Sequence, residues 1–89
     1  MDKVSLKVPG GKLIQVEAEF KDDLEQISIT GDFFIEPPEA LEKIEGSLIG
    51  LSKDFTRSDV VKRVSEIDAD LIGFAPEHIA ECLEEVVSE

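Results

Sequence analysis

The sequence predicts an α+β fold, with a three-stranded antiparallel sheet followed by three helices. Three observations carry this. Apolar and polar residues alternate through the first third of the chain. From Pro37 onward the apolar residues recur every three or four positions instead. Helix start signals stand before two of these later stripes.

The strands come first. Val4, Leu6 and Val8 alternate with Lys3, Ser5 and Lys7. Pro9-Gly10-Gly11-Lys12 makes a turn, after which Ile14, Val16, Ala18 and Phe20 alternate with Gln15, Glu17 and Glu19. A period of two gives each strand one apolar and one wet face. Lys21-Asp22-Asp23 is a second tight turn, and Leu24, Ile27 and Ile29 follow with Ser28 and Thr30 between them. Short connections of this kind make an antiparallel meander.

In the first helix Leu41, Ile44 and Leu48 share a face, with Ala40 and Leu51 beside it. Pro37 or Pro38 suits its first turn, where a missing N–H costs nothing. Glu39, Glu42 and Glu45 are expected to face solvent, and Gly50 to stop the helix. The second helix starts at Thr56, whose side chain can cap the N–H of Asp59, with Phe55 and Val60 as a hydrophobic staple. Its stripe is Val60, Val64 and Ile67, extended by Val61 and Leu71. The third helix has Phe74 to staple onto Ile79, Pro76 at its first position and Glu77 in its first turn. Ile79, Cys82, Leu83, Val86 and Val87 form its apolar stripe.

A length of 89 residues allows one domain, spanning 1–89, with enough interior for a core but little for a deep cleft as well. The formal net charge is −12, with −3 on residues 1–35 and −9 on residues 36–89. That field repels nucleic acid, ATP and anionic lipid, so neither nucleic acid nor membrane is an expected partner. A solvated acidic surface that aids solubility accounts for most of the excess. A single cysteine, Cys82, excludes an intrachain disulfide and fits a reducing cytoplasm. The alternating N-terminus lacks a signal peptide's apolar core, and no apolar run approaches the ~18 residues a membrane span needs.

Candidate chemistry is sparse. His78 and Cys82 are four apart on a helix, but no second His or Cys completes a structural metal site. Cys82 falls in the apolar stripe, beside Glu81 and Glu85, which disfavour a reactive thiolate. Asp68 and Asp70 read as a solvated turn near the end of the second helix. The Pro9–Lys12 turn leads into a strand, so no helix N-terminus faces an anion there. No catalytic residue and no metal ligand is therefore assigned.

What remains is Gly31-Asp32-Phe33-Phe34-Ile35-Glu36-Pro37-Pro38, between the last strand and the first helix. Three consecutive large apolar residues cannot all be buried by strict alternation. Either the strand bulges or one aromatic faces outward. Gly31 permits a bulge or a positive φ, and Asp32 can accept local backbone N–H bonds. The segment is either a core plug or a rigid knuckle that docks on a partner through Gly31, Asp32, Phe33 and Phe34.

Four segments in order resemble the C-terminal accessory domain of bacterial lipoate–protein ligases. They are Gly10-Gly11-Lys12-Leu13-Ile14, Ile27-Ser28-Ile29-Thr30-Gly31-Asp32-Phe33-Phe34, Leu48-Ile49-Gly50-Leu51 and Gly73-Phe74-Ala75-Pro76-Glu77. Gly31-Asp32-Phe33-Phe34 is the most specific of these. The resemblance implies an α+β module similar to sulfur-acceptor and iron–sulfur scaffold proteins. In the family that module follows a catalytic domain, whereas this chain opens at Met1, as in the archaeal arrangement of two separate proteins. The implied function is that of a non-catalytic accessory subunit, working as a heterodimer with the large catalytic subunit. The subunit would be required for ATP-dependent activation of lipoate to lipoyl-AMP. The lipoyl group then passes to a lysine of lipoyl domains, as in 2-oxoacid dehydrogenases or the glycine cleavage H protein. Lipoate, ATP and Mg are expected on the large subunit and no cofactor on this chain. The alternatives are a sulfur carrier or iron–sulfur scaffold on the related fold, and a generic adaptor module.

Overall fold

The computed structural model describes residues 2–88. Its elements are β1 (Asp2–Lys7), β2 (Leu13–Phe20), β3 (Leu24–Gly31), β4 (Phe34–Glu36), α1 (Ala40–Leu48), α2 (Arg57–Ser65), β5 (Asp70–Ile72) and α3 (Pro76–Ser88). The architecture is α+β, as the change of apolar period predicts. β1, β2 and β3 form the antiparallel meander, with Val4 opposite Val16 and Val16 opposite Ile29. Alternation puts Val4, Ile14, Val16, Ala18 and Ile29 on the buried face. Lys3, Gln15, Glu17, Ser28 and Thr30 line the other face.

The helices cover the apolar face. α3 lies on β1 and β2, α1 lies on β3, and α2 packs between α1 and α3. Ala40, Ile44 and Leu48 from α1, Val60 and Val64 from α2, and Ile79, Ala80, Cys82, Leu83 and Val86 from α3 are buried. Thr56 starts α2 as its sequence signals. Its side chain accepts from the Asp59 N–H at 3.2 Å, and the Asp59 carboxylate accepts from the Thr56 N–H at 2.9 Å. Phe55, just before the cap, stacks on Phe20 with centroids 6.2 Å apart.

Several expectations are corrected. β4 and β5 pair antiparallel as a separate two-stranded ribbon that the sequence reading lacks. Each is three residues long, too short to display a period of two, and its partner is more than thirty residues away. Leu71 and Asp70 therefore belong to β5, not to the α2 stripe or a turn. α1 begins at Ala40 with Glu39 at its cap position, so the prolines precede the helix. The Pro37 and Pro38 carbonyls accept from the Ala40 and Leu41 N–H groups, forming the lead-in turn, and Glu36-Pro37 is cis. Val87 lies on the exposed side of α3 and Ala80 takes a buried place instead.

Glu45 is a further correction. It does not face solvent but accepts the Ile29 N–H through Oε2 at 2.7 Å. That N–H belongs to β3, on the side away from β2. The carboxylate thus closes the strand edge. Nearby, the Leu24 N–H donates to Leu51 and the Gly50 N–H to Leu24, each at 2.8 Å. The chain that leaves α1 at Gly50 (φ +87) covers the start of the same edge.

Candidate docking surface

Three of the four segments that carry the ligase resemblance meet at one corner of the fold. Gly31 ends β3 at φ +153, and a Cβ there would overlap the Leu13 carbonyl oxygen. The backbones of β2 and β3 can close to this distance only because residue 31 has no side chain. The Asp32 N–H then donates to the same Leu13 carbonyl at 3.0 Å. The expectation that Asp32 accepts backbone N–H bonds is corrected: its own N–H is the donor, and the residue is exposed. Beside it, the Lys12 N–H donates to the Gly73 carbonyl at 3.1 Å, and Gly11 backs onto that carbonyl. The early glycine turn is thereby tied to the loop before α3. The fourth segment, Leu48–Leu51, lies elsewhere, at the start of β3.

The corner settles how three consecutive apolar residues are placed. Phe33 turns inward, half-buried, with its ring 4.5 Å from that of Phe74 and tilted by 52°. Ile35 is buried. Phe34, between them, is 64% exposed. The segment is a plug and a projecting knuckle together, with each part carried by a different ring. Directly across the ribbon from Phe34 stands Ile72, itself 50% exposed. Ile72 is not among the residues singled out from sequence. Its only signal is the register of a three-residue strand.

The other candidates resolve into structural roles. Cys82 is 1% exposed, and burial, followed by the charges of Glu85 and Glu81, pushes its thiol up to about 11. Such a thiol is neither accessible nor ionised at neutral pH, as a sulfur carrier's would have to be. His78 Nδ1 accepts the Ala75 N–H at 2.8 Å and so closes the first turn of α3, the place a capping-box carboxylate would take. Among the described residues no group of three or more His, Cys, Asp or Glu is arranged to hold a metal, and no charged side chain is buried. Among the described residues no helix is long and apolar enough to cross a membrane. The Pro9–Lys12 turn runs into β2, as expected, and presents no helix N-terminus.

No protein-family model and no curated protein matches the sequence. Among solved structures the fold is similar to a chain from the lipoylation system of the archaeon Thermoplasma acidophilum. That structure comprises a bi-partite lipoate protein ligase and its E2 lipoyl domain. The TM-score is 0.67 at 24% identity, and the match covers 82% of this chain and 83% of the other. Near-equal coverage means that the two chains are of near-equal length. At this identity the likeness is one of fold.

Proposed function

We propose that the chain is a non-catalytic accessory component of a lipoate–protein ligase, required for ATP-dependent activation of lipoate to lipoyl-AMP. One observation carries the reading: the fold match to a chain of an archaeal lipoylation system, over four fifths of two proteins of similar length. In this reading a separate catalytic component holds lipoate, ATP and Mg and forms a heterodimer with this chain. Lipoyl domains are then indirect partners.

A supporting role has a physical basis. Adenylation joins a carboxylate to a phosphate, two groups of like charge, and needs an ordered and partly dry site. A module that binds the closed form of a catalytic domain more tightly than the open form shifts the population toward closure. It does so without touching a reacting atom. A rigid corner with a projecting aromatic suits that task, because little conformational freedom is lost on docking.

The test is pyrophosphate release from lipoate and ATP by the catalytic component, with and without this chain. Strong dependence on the chain supports the reading. Equal release and equal lipoyl transfer without it would sink the reading. Lipoyl incorporation into this chain itself would identify it as an acceptor and also overturn the proposal.

A further inference from the structure

We propose that the outward face of the β4–β5 ribbon is the surface that docks on the catalytic component. The surface it meets would be an apolar pocket edged by lysine or arginine. This rests on the accessory reading above for the identity of the partner. The ribbon's register places Phe34 opposite Ile72 and Glu36 opposite Asp70. Alternation sends all four side chains outward, while Ile35 and Leu71 turn in. The face is therefore an apolar pair with a carboxylate pair beside it, about 7 Å along the strands.

Both pairs are costly for the chain alone. Phe34 and Ile72 are 64% and 50% exposed, the two largest exposures among the large hydrophobic residues described. Two carboxylates directly opposite each other on adjacent strands repel and destabilise the ladder. A cation bridging Glu36 and Asp70 would turn that repulsion into attraction, and an apolar pocket would dry Phe34 and Ile72. One partner with both features relieves both costs. The chemistry is therefore narrower than a generic apolar patch would require. A shallow hollow formed by Phe33, Phe34, Ile35, Glu36, Pro38 and Leu41 continues the surface toward α1. Behind the ribbon, the Phe33–Phe74 contact fixes its position.

The design predicts opposite signs for one variant. Glu36→Gln with Asp70→Gln removes the repulsion, so the isolated chain should melt at a higher temperature. The same variant should bind the catalytic component of the same ligase several-fold more weakly, with a shallower dependence on salt. Phe34→Ser with Ile72→Ser should weaken binding at least tenfold, read by titration calorimetry. Ile49→Ser, an exposed aliphatic on another part of the surface, should leave affinity unchanged. Affinity within twofold of the starting protein for both ribbon variants would overturn the inference and leave the accessory reading standing. So would Gln substitutions that raise melting temperature and affinity together. If the unaltered chain forms no complex with the catalytic component, the accessory reading falls and this inference with it.

Discussion

The three-stranded sheet and the two-stranded ribbon meet the same physical demand in different ways. Each has apolar side chains to bury and polar groups to satisfy. The sheet does both with its own chain. Helices cover its apolar face, the Glu45 carboxylate takes the Ile29 N–H, and the chain after α1 covers the start of β3. The ribbon buries only one side. Ile35 and Leu71 go inward, while Phe34, Ile72, Glu36 and Asp70 are left facing out. Where a chain closes its own surfaces, substitution should change stability. Where it leaves a face open, substitution should change association instead. That contrast can be broken at several places.

The largest effect is expected at the junction of the two regions. Gly31→Val places a branched side chain onto the Leu13 carbonyl and a positive φ on a residue that resists it. Strain and overlap together should cost roughly 3–5 kcal/mol. A melting temperature lowered by more than about 10 °C is the expected reading for a domain of this size. An unchanged melt would show that the corner is loosely built.

The neighbouring phenylalanines give the sharpest comparison. Phe33→Ala removes a half-buried ring from Phe74 and should cost about 2 kcal/mol. Phe34→Ala removes a ring that is 64% exposed and should change stability by no more than about 0.5 kcal/mol. Paired urea titrations measure both. Equal losses would erase the distinction between plug and knuckle.

Next is the carboxylate at the strand edge. Glu45→Ala strands the Ile29 N–H and should cost about 1–2 kcal/mol, while Glu45→Gln keeps an acceptor and should lose about half of that. Amide exchange at Ile29 should accelerate in the alanine variant. Exchange unchanged from the starting protein would mean that the hydrogen bond does not protect the edge.

Cys82 tests the closed interior through pH. Its thiol titrates at about 11 when folded, above its ordinary value of 9.0. The unfolded chain therefore loses this proton first. The stabilisation is complete below about pH 9 and is lost as pH rises from there through about 11. Alkylation at pH 8 should proceed only as fast as the protein opens. Rapid labelling of the native protein would contradict the buried placement and revive a sulfur-carrier role.

The smallest change should come from the exposed Arg57–Glu84 pair, a two-pronged contact at 2.9 and 3.0 Å joining α2 to α3. Arg57 holds the Glu84 carboxyl below the usual carboxylate range. Its contribution is present at neutral pH and is lost as acid titrates Glu84. Arg57→Ala should shift the melt slightly at low salt and not at all at high salt.

The sequence by itself determined the meander, the number and order of the helices, the capping box at Thr56 and the inert position of Cys82. Each is written in a local period or in residues three or four apart, which backbone geometry converts directly into a face or a cap. It also singled out Gly31, Asp32, Phe33 and Phe34 as unusual, because three large apolar residues in a row violate alternation. Only the tertiary structure decided which ring projects, that Ile72 stands opposite it, that Glu36 faces Asp70, and that Glu45 serves β3 instead of solvent. Those outcomes depend on pairings between residues 16 to 38 positions apart. A period of two or 3.6 residues carries no record of a partner at that distance.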